Sequence, residues 1–196
     1  MTKETPTDFP IHELISARWS PCGFENRPVA ADDLNSLFEA ARWAASSYNE
    51  QPWSFIVTTR DNTADFEKAL SCLVDGNQTW AKDAPVLVIT CTSLAFDRNR
   101  KPNAAAEYDL GQAVSNLSTE ATSRGLSLHQ MIGIFPDKAR ELFEVPEGVN
   151  PMTAIAIGYA ADPAGLPDGL RSRDLAPRSR KPQAGFVFSG KWGHTR

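Results

Sequence analysis

Apolar residues recur at helical spacing in the first part of the chain. Residues 11–18 (IHELISAR) and 28–47 each place hydrophobic side chains three or four positions apart, which predicts two amphipathic helices. The apolar face of the second helix consists of Leu34, Leu37, Phe38, Ala41 and Ala45. Asp32 or Asp33 is predicted to cap the start of this helix with its side chain.

Four short runs rich in β-branched and other apolar residues predict strands. They cover residues 54–59, 85–92, 126–133 and 152–160. The run at 85–92 (PVLVITCT) is apolar at nearly every position, as expected for a central strand with both faces covered. Helical patterns lie between and around the runs, at 63–73, in a turn and short helix at 75–85, at 104–124 and at 136–143. This order of elements predicts a layered α+β domain.

The helix predicted over 104–124 has an apolar face that is rich in small residues. That face consists of Leu110, Ala113, Val114, Leu117 and Ala121. Small side chains let another helix approach closely. The sequence therefore predicts close helix packing along this face.

The C-terminal residues differ from the rest of the chain. Residues 165–183 are rich in proline and arginine and are predicted to be irregular, while 186–190 (FVFSG) predicts a short strand. The apolar residues Phe186, Val187, Phe188 and Trp192 favour packing on a partner subunit. The predicted organisation is an N-terminal tail at 1–10, a main domain at 11–165 and a C-terminal arm of the same domain at 166–196.

Charge is unevenly spread along the 196 residues, whose net charge is −4. Residues 171–196 contain seven Lys and Arg against a single acid, Asp174, which leaves −10 for the remainder. This balance argues against general nucleic-acid binding and fits either a local anion site or a tail that docks on an acidic surface. Three cysteines without a C-x-x-C pair predict neither a disulfide framework nor a metal site. With no signal-peptide pattern and no membrane-length apolar run, a cytoplasmic protein without membrane contact is expected.

Two pairs of polar residues far apart in sequence suit a phosphate. Arg18 and Ser20 follow the first helix, and Arg178 and Arg180 lie in the arm. Guanidinium groups donate two parallel hydrogen bonds to phosphate oxygens, and a hydroxyl adds another. From spacing alone, the favoured interpretation is that these arginines are simply solvated.

Three further segments could meet a planar ligand. The loop at 45–55 (ASSYNEQPWSF) brings amides between a helix and a strand, 76–80 (GNQTW) contains Asn77, and 129–135 (HQMIGIF) contains Gly133. Glycine permits close approach of the backbone to a ligand. Taken singly, the loop at 45–55 is about equally well explained as a capping turn with a structural Trp, and 76–80 as a turn that serves backbone geometry. For 129–135 alone, a strand exit is the favoured interpretation.

Together the four motifs occur in a specific order. R-x-S is followed by S-x-x-N-x-Q-P-W, then by G-N-Q-x-W ahead of A-P-V-L-V-I, and finally by R-x-R-K-P. This ordered set resembles the nitroreductase-like family of FMN-dependent oxidoreductases, and the likeness extends over about 11–192. The resemblance implies a three-layer α+β fold in which helices flank a mixed central sheet. It also implies a homodimer formed around the long helices, with the C-terminal arm on the partner subunit and FMN in two interfacial clefts.

The resemblance assigns FMN-binding roles to individual residues. The residues implied for the phosphate end are Arg18, Trp19, Ser20, Arg178 and Arg180. Those implied for the loop that reaches the flavin of the other subunit are Ser46, Ser47 and Asn49, supported by Gln51. Those implied for the ring are Asn77 at its pyrimidine edge and Met131, Ile132, Gly133 and Ile134, with the backbone of the last two near flavin N5 and O4. No side chain is expected to be catalytic, because the flavin carries the chemistry.

Some residues depart from the family pattern. Cys22 stands where a basic residue is common, which predicts a missing phosphate ligand. Ala45 stands where proline is usual, and residues 183–185 replace a more acidic stretch. The first two departures weaken particular contacts, and none of the three removes the site.

The implied activity is transfer of hydride from NADH or NADPH, through bound FMN, to a small organic acceptor such as a nitroaromatic, a quinone or an activated alkene. The chain has no G-x-G-x-x-G or P-loop motif, so a separate nicotinamide site is not predicted and a ping-pong mechanism is expected. One alternative is a flavin-binding carrier or sensor without rapid turnover. Another is a structural or interaction domain in which the motifs are coincidental.

Overall fold

A computed structural model describes Lys3 and residues 5–195. Positions 1, 2 and 4 of the predicted tail and position 196 of the predicted arm lie outside the described residues. The helices are α1 Glu13–Ala17, α2 Ala31–Arg42, α3 Thr63–Ser71, α4 Asp75–Ala81, α5 Ala106–Ser123, α6 Pro136–Leu142 and α7 Asp168–Leu175. The strands are β1 Trp53–Thr59, β2 Val86–Ser93, β3 Ser127–Met131 and β4 Val149–Gly158.

The four strands form one sheet in the order β1-β2-β4-β3. Each neighbouring pair among the described strands is antiparallel, so the mixed sheet implied by the resemblance is not found within this protomer. The apolar run of β2 nevertheless predicted its central place correctly. Burial of both faces makes a strand apolar throughout, whichever way its neighbours run.

Helices cover both faces of the sheet and give three layers. On one face, Leu87 and Ile89 of β2 pack in a core with Phe66 of α3 and Trp80 of α4. On the other, Val88 packs among residues of α2 and α5. Successive side chains of a strand point to opposite faces, so one central strand supplies both cores. The predicted three-layer α+β fold is confirmed.

The helix predicted over 28–47 is shorter than its apolar pattern. Its N-cap is Ala30, whose side chain makes no capping hydrogen bond, so the predicted cap by Asp32 or Asp33 is wrong. Both acids instead lie in the first turn, where their negative charges interact favourably with the positive end of the helix dipole. The helix ends at Arg42, and Ala45 lies exposed in the loop beyond it.

The C-terminal segment is more ordered than its composition indicates. Residues 165–183 were predicted to be irregular, yet they contain helix α7. Only one isolated bridge, between Phe188 and Thr195, occurs at the predicted strand 186–190. Helix α7 has no apolar stripe of its own, and a buried contact from Asp174 anchors its last turn.

Candidate functional site

The end of α1 and the C-terminal arm lie side by side and bring the predicted arginines together. The Arg178 guanidinium donates to the backbone oxygens of Ser16 and Arg18, at 2.6 and 2.8 Å. It also donates to the hydroxyl of Thr5. Residues 160 or more positions apart are thereby held in direct contact.

Three guanidinium groups concentrate positive charge at this place. Burial, together with the neighbouring charges of Arg178 and Arg180, lowers the pKa of Arg18. Arg18 donates to the hydroxyl of Ser20 at 3.1 Å, and Arg180 donates only to the backbone oxygen of Ser179 among the described contacts. Such a cluster is electrostatically unfavourable by itself, and a bound anion would relieve it.

A cavity of about 290 Å³ opens beside these arginines. Its lining consists of Thr5, Pro6, Thr7, Ile11, Ile15, Arg18, Arg178, Ser179 and Arg180. None of these side chains is acidic. Pockets for whole cofactors usually measure roughly 300–1,000 Å³, so this one suits the phosphate-bearing end of a larger ligand.

Asn77 of α4 and Gly133 after β3 form a second unit. The Asn77 side-chain amide donates to the Gly133 backbone oxygen at 3.2 Å, and the Val74 backbone N–H donates to the same oxygen at 3.0 Å. A Cβ on Gly133 would lie 2.7 Å from Asn77 Nδ2, so this approach requires glycine. The Ile134 backbone N–H already donates to Ile132 at 2.9 Å. That engagement leaves Gly133 as the better placed of the two predicted backbone donors.

The loop between α2 and β1 has an unusual backbone. Tyr48, Asn49 and Gln51 have φ values of 55°, 56° and 52°, in the left-handed region that residues other than glycine rarely adopt. Hydrogen bonds within the loop hold this shape. The Ser46 hydroxyl accepts from the Gln51 backbone at 3.0 Å, and the Gln51 side chain donates to the Asn49 backbone oxygen at 3.0 Å. Strain of this kind is often found at ligand-binding loops.

A buried acid fastens the same loop to the long helix. Asp109 of α5 accepts a hydrogen bond from the Ser47 backbone at 3.0 Å. Among the described hydrogen bonds, none joins residues 46–51 to the arginine cluster. Among the described residues, the loop and the arginine cluster are therefore separate hydrogen-bonded units.

Three predicted cofactor residues do not share one environment. Trp19 and Met131 are buried in the protein interior, whereas Ile132 is 78% exposed. Trp19 lies beneath the Lys3 ammonium, 5.0 Å from its ring centroid. The Trp19 and Met131 side chains are thus part of the protein interior, whereas Ile132 presents an apolar surface to solvent.

Cys22 is a core residue. Its side chain is buried, and burial, as the main cause, raises the pKa of the thiol to about 11. The Cys22 backbone N–H donates to Asp174. The position that is often basic in the family thus holds a neutral, inward-facing thiol.

Asp109 and Asp174 were missed by the sequence analysis. Asp109 follows Ala106 by three positions and precedes Ala113 by four, so it lies on the buried face of α5. A polar residue on an apolar stripe was the available signal. Asp174 was visible as the one acid of a basic segment, but its partners, 151 and 152 positions away, were not.

The described residues show two further features. None of their helices is long and apolar enough to cross a membrane. They contain no group of three His, Cys, Asp or Glu side chains that could hold a metal ion.

The structure is a three-layer α+β protein in which a cluster of arginines lies beside a cavity where two chain segments meet. Comparison with known proteins identifies the family. The sequence profile of the Nitroreductase family matches residues 15–159, and the chain belongs to this family. The prediction of the family from the four motifs is confirmed.

Individual relatives agree with this assignment. A Methanothermobacter thermautotrophicus protein with the provisional name NADH dehydrogenase/NAD(P)H nitroreductase is 30% identical over 163 residues, which is 81% of each chain. The FMN reductase (NAD(P)H) of Bacillus subtilis is 28% identical over 160 residues, covering 71% of this chain and 61% of its own. A solved structure described as an oxidoreductase containing FMN has a TM-score of 0.90 at 33% identity, covering 97% of this chain and 96% of its own.

Proposed function

We propose that this protein is an FMN-dependent oxidoreductase that draws reducing equivalents from NADH or NADPH. The names of the relatives support both the flavin and the nicotinamide donor. The convergence of Arg18, Arg178 and Arg180 beside a cavity without acidic lining carries the proposal for this chain. A phosphate dianion suits that donor set because it offsets the mutual repulsion of the guanidinium groups.

The residues of the chain divide the work of holding FMN. Arg18, Ser20 and Arg180 bind the phosphate, and Arg178 adds charge while it fastens the arm. Asn77 and the Gly133 backbone lie at the ring, with Ile132 as an apolar neighbour. When bound, FMN supplies the hydride chemistry by which a nicotinamide reduces a small organic acceptor, and the protein supplies position and electrostatics. Nitroaromatics, quinones and activated alkenes are the acceptor classes to test.

A homodimer completes the site in this proposal. Large apolar side chains exposed on the protomer include Trp43, Tyr48, Tyr108, Ile132, Phe186 and Trp192. Exposed apolar groups in this number favour an interface. The loop at 46–51 would then reach the partner's flavin, and the arm at 166–196 would pack across the interface. The division into a tail at 1–10, a domain at 11–165 and this arm stays a prediction, as does a cytoplasmic location.

Loss of arginine side chains tests the phosphate site. Arg18→Ala and Arg180→Ala should each remove a charge-assisted contact of about 1.5–3 kcal/mol and weaken FMN binding about ten- to a hundredfold. Titration of the apoprotein with FMN, followed by flavin fluorescence, measures this. Arg60→Ala is the matched control, since it removes one positive charge from an arginine that contacts Asn26. Unchanged affinity in both test variants would contradict the proposed site.

Kinetics separate an oxidoreductase from a flavin-binding carrier or sensor. Rapid anaerobic bleaching of the bound flavin by NADH or NADPH, followed by turnover with an acceptor, is expected of the enzyme. Parallel double-reciprocal plots are expected if donor and acceptor occupy the same space in turn. Intersecting plots would contradict the ping-pong order. A yellow protein that neither nicotinamide reduces would favour the carrier or sensor.

A further inference from the structure

Asp174 is a buried carboxylate for which the proposed chemistry has no use. Its side chain belongs to the last turn of α7 and the residue is 2% exposed. Oδ1 accepts a hydrogen bond from the Cys22 backbone N–H at 2.9 Å. Oδ2 accepts from the same N–H at 3.1 Å and from the Gly23 N–H at 3.0 Å. Both oxygens are therefore engaged with the backbone of the segment that follows α1.

Asp174 and Arg178 fasten the same two segments at two points. Asp174 contacts residues 22 and 23, while Arg178, four positions later, contacts the backbone oxygens of Ser16 and Arg18. The segments consequently run in opposite directions. Ser20 lies between the two attachments, Arg18 belongs to the second one, and Arg180 follows Arg178 after Ser179. The relative position of the phosphate-binding groups thus depends on both.

The attachment at Asp174 is also tightly packed. A Cβ on Gly23 would lie 2.5 Å from Leu166 Cδ1, so the start of the arm approaches this backbone as closely as glycine allows. Cys22 and Gly23 are both buried. Without the carboxylate, their N–H groups would lose their acceptor in a place that water does not reach freely.

We propose that Asp174 is a positioning residue, which sets the arm so that Arg180 and Arg178 face the same phosphate as Arg18. This inference rests on the proposed function. Asp174 does not contact the anion, because its oxygens are turned toward Cys22 and Gly23. Its removal should therefore weaken recognition of the phosphate group specifically and leave recognition of the flavin ring largely unchanged.

The ratio of affinities for FMN and riboflavin isolates this effect. Riboflavin has the same ring and ribityl chain without the phosphate, so the ratio reports only what the phosphate site contributes. Apoprotein of the full chain is titrated with each flavin by fluorescence quenching, for wild type, Asp174→Ala and Asp174→Asn. Asp168→Ala is the matched control, because Asp168 lies on the same helix with its side chain largely exposed.

In Asp174→Ala the preference for FMN should fall by about tenfold or more, while riboflavin affinity changes by no more than about twofold. Asp174→Asn keeps one acceptor oxygen and should lie between wild type and the alanine variant, and it carries the test if the alanine variant does not fold. Asp168→Ala should match wild type. An unchanged preference in the folded Asp174 variants, or equal weakening of both flavins, would overturn the inference. A wild-type protein that binds riboflavin as tightly as FMN would instead overturn the proposed phosphate site, and this inference with it.

Discussion

The side-chain amide of Asn77 donates to the backbone oxygen of Gly133 over 3.2 Å and joins the first turn of α4 to the segment after β3. The contact places two motifs, 56 positions apart, at one point of the fold. The contact also restricts which residue type can occupy position 133. Because glycine has a hydrogen in place of a Cβ, the Asn77 amide and the Val74 side chain can approach the backbone at position 133 closely.

Gly133→Ala should destabilise the protein. The added methyl would lie 2.7 Å from Asn77 Nδ2 and 2.8 Å from Val74 Cγ2, so α4 or the turn must shift. Overpacking of this kind costs about 1–3 kcal/mol of unfolding free energy. Urea denaturation of wild type and variant measures the loss.

Gly76→Ala is the control for that substitution. Gly76 lies in α4, the helix that also contains Asn77, and no other atom lies within 4 Å of a Cβ placed at that position. Alanine favours a helix over glycine by up to about 1 kcal/mol, so this variant should be as stable as wild type or more stable. A Gly133→Ala protein that unfolds at the wild-type urea concentration would show that the contact tolerates a methyl group.

Asp109→Ala should release the loop between α2 and β1. The buried Asp109 carboxylate accepts from the Ser47 backbone, and hydrogen bonds to charged groups contribute about 1.5–3 kcal/mol. Tyr48, in the same loop, is 74% exposed in the protomer, and its release from the proposed dimer would give chymotrypsin a cleavage site. Limited proteolysis should therefore cut after Tyr48 several times faster in the variant than in wild type.

Glu107→Gln serves as the comparison, since Glu107 is an exposed acid in the first turn of the same helix. Its cleavage rate at Tyr48 should equal that of wild type. Equal rates in all three proteins would mean that the strained backbone of residues 46–51 holds without Asp109.

Much of the fold could be predicted because it follows from periodic burial. Helix α5 lies within the predicted 104–124, and β2 is central as its apolar run indicates. Helix α7 escaped prediction because Leu170 packs only partly buried on the core, and the long-range contacts of the Asp174 carboxylate leave no trace in a hydrophobic pattern. Likewise, the direction of neighbouring strands is set by connections across the fold and not by which residues are apolar.

The site was predicted less from spacing than from the order of its motifs. Arg18 and Arg178 are 160 positions apart, and no local rule brings them together. The resemblance named them both, and the structure joins them. The resemblance does not indicate that Arg178 donates hydrogen bonds to backbone oxygens, or that the Cys22 side chain is buried in the core. Both are properties of the packed chain.

The three thiols should be unreactive in the folded protein. Cys22, Cys72 and Cys91 are all buried, and burial raises the pKa of each thiol, to about 11 for Cys22 and Cys91. Only the thiolate reacts readily with a disulfide reagent. At pH 8 the native protein should release almost no colour from Ellman's reagent, whereas the protein in guanidinium should titrate three thiols. Rapid release from the native protein would contradict this burial.

His129 should make the fold sensitive to mild acid. Its Nδ1 lies 2.8 Å from the Pro21 backbone oxygen, and its ring packs 4.4 Å from Trp80 between centroids. Burial, as the main cause, lowers the pKa of His129 below its ordinary 6.5. The folded state thus prefers the neutral imidazole. This preference contributes stability above about pH 6.5 that is lost as the pH falls toward the folded-state pKa.

Comparison with His129→Gln isolates this contribution, because glutamine can still donate to Pro21 and does not titrate. Between pH 7.5 and 5.5, wild type should lose more unfolding free energy than the variant, by at most about 1.4 kcal/mol per pH unit below 6.5. Carboxylates that titrate in both proteins cancel in the difference. His194→Gln, at an exposed histidine, should lose as much as wild type. If His129→Gln also loses as much as wild type, the imidazole does not need to stay neutral in the fold.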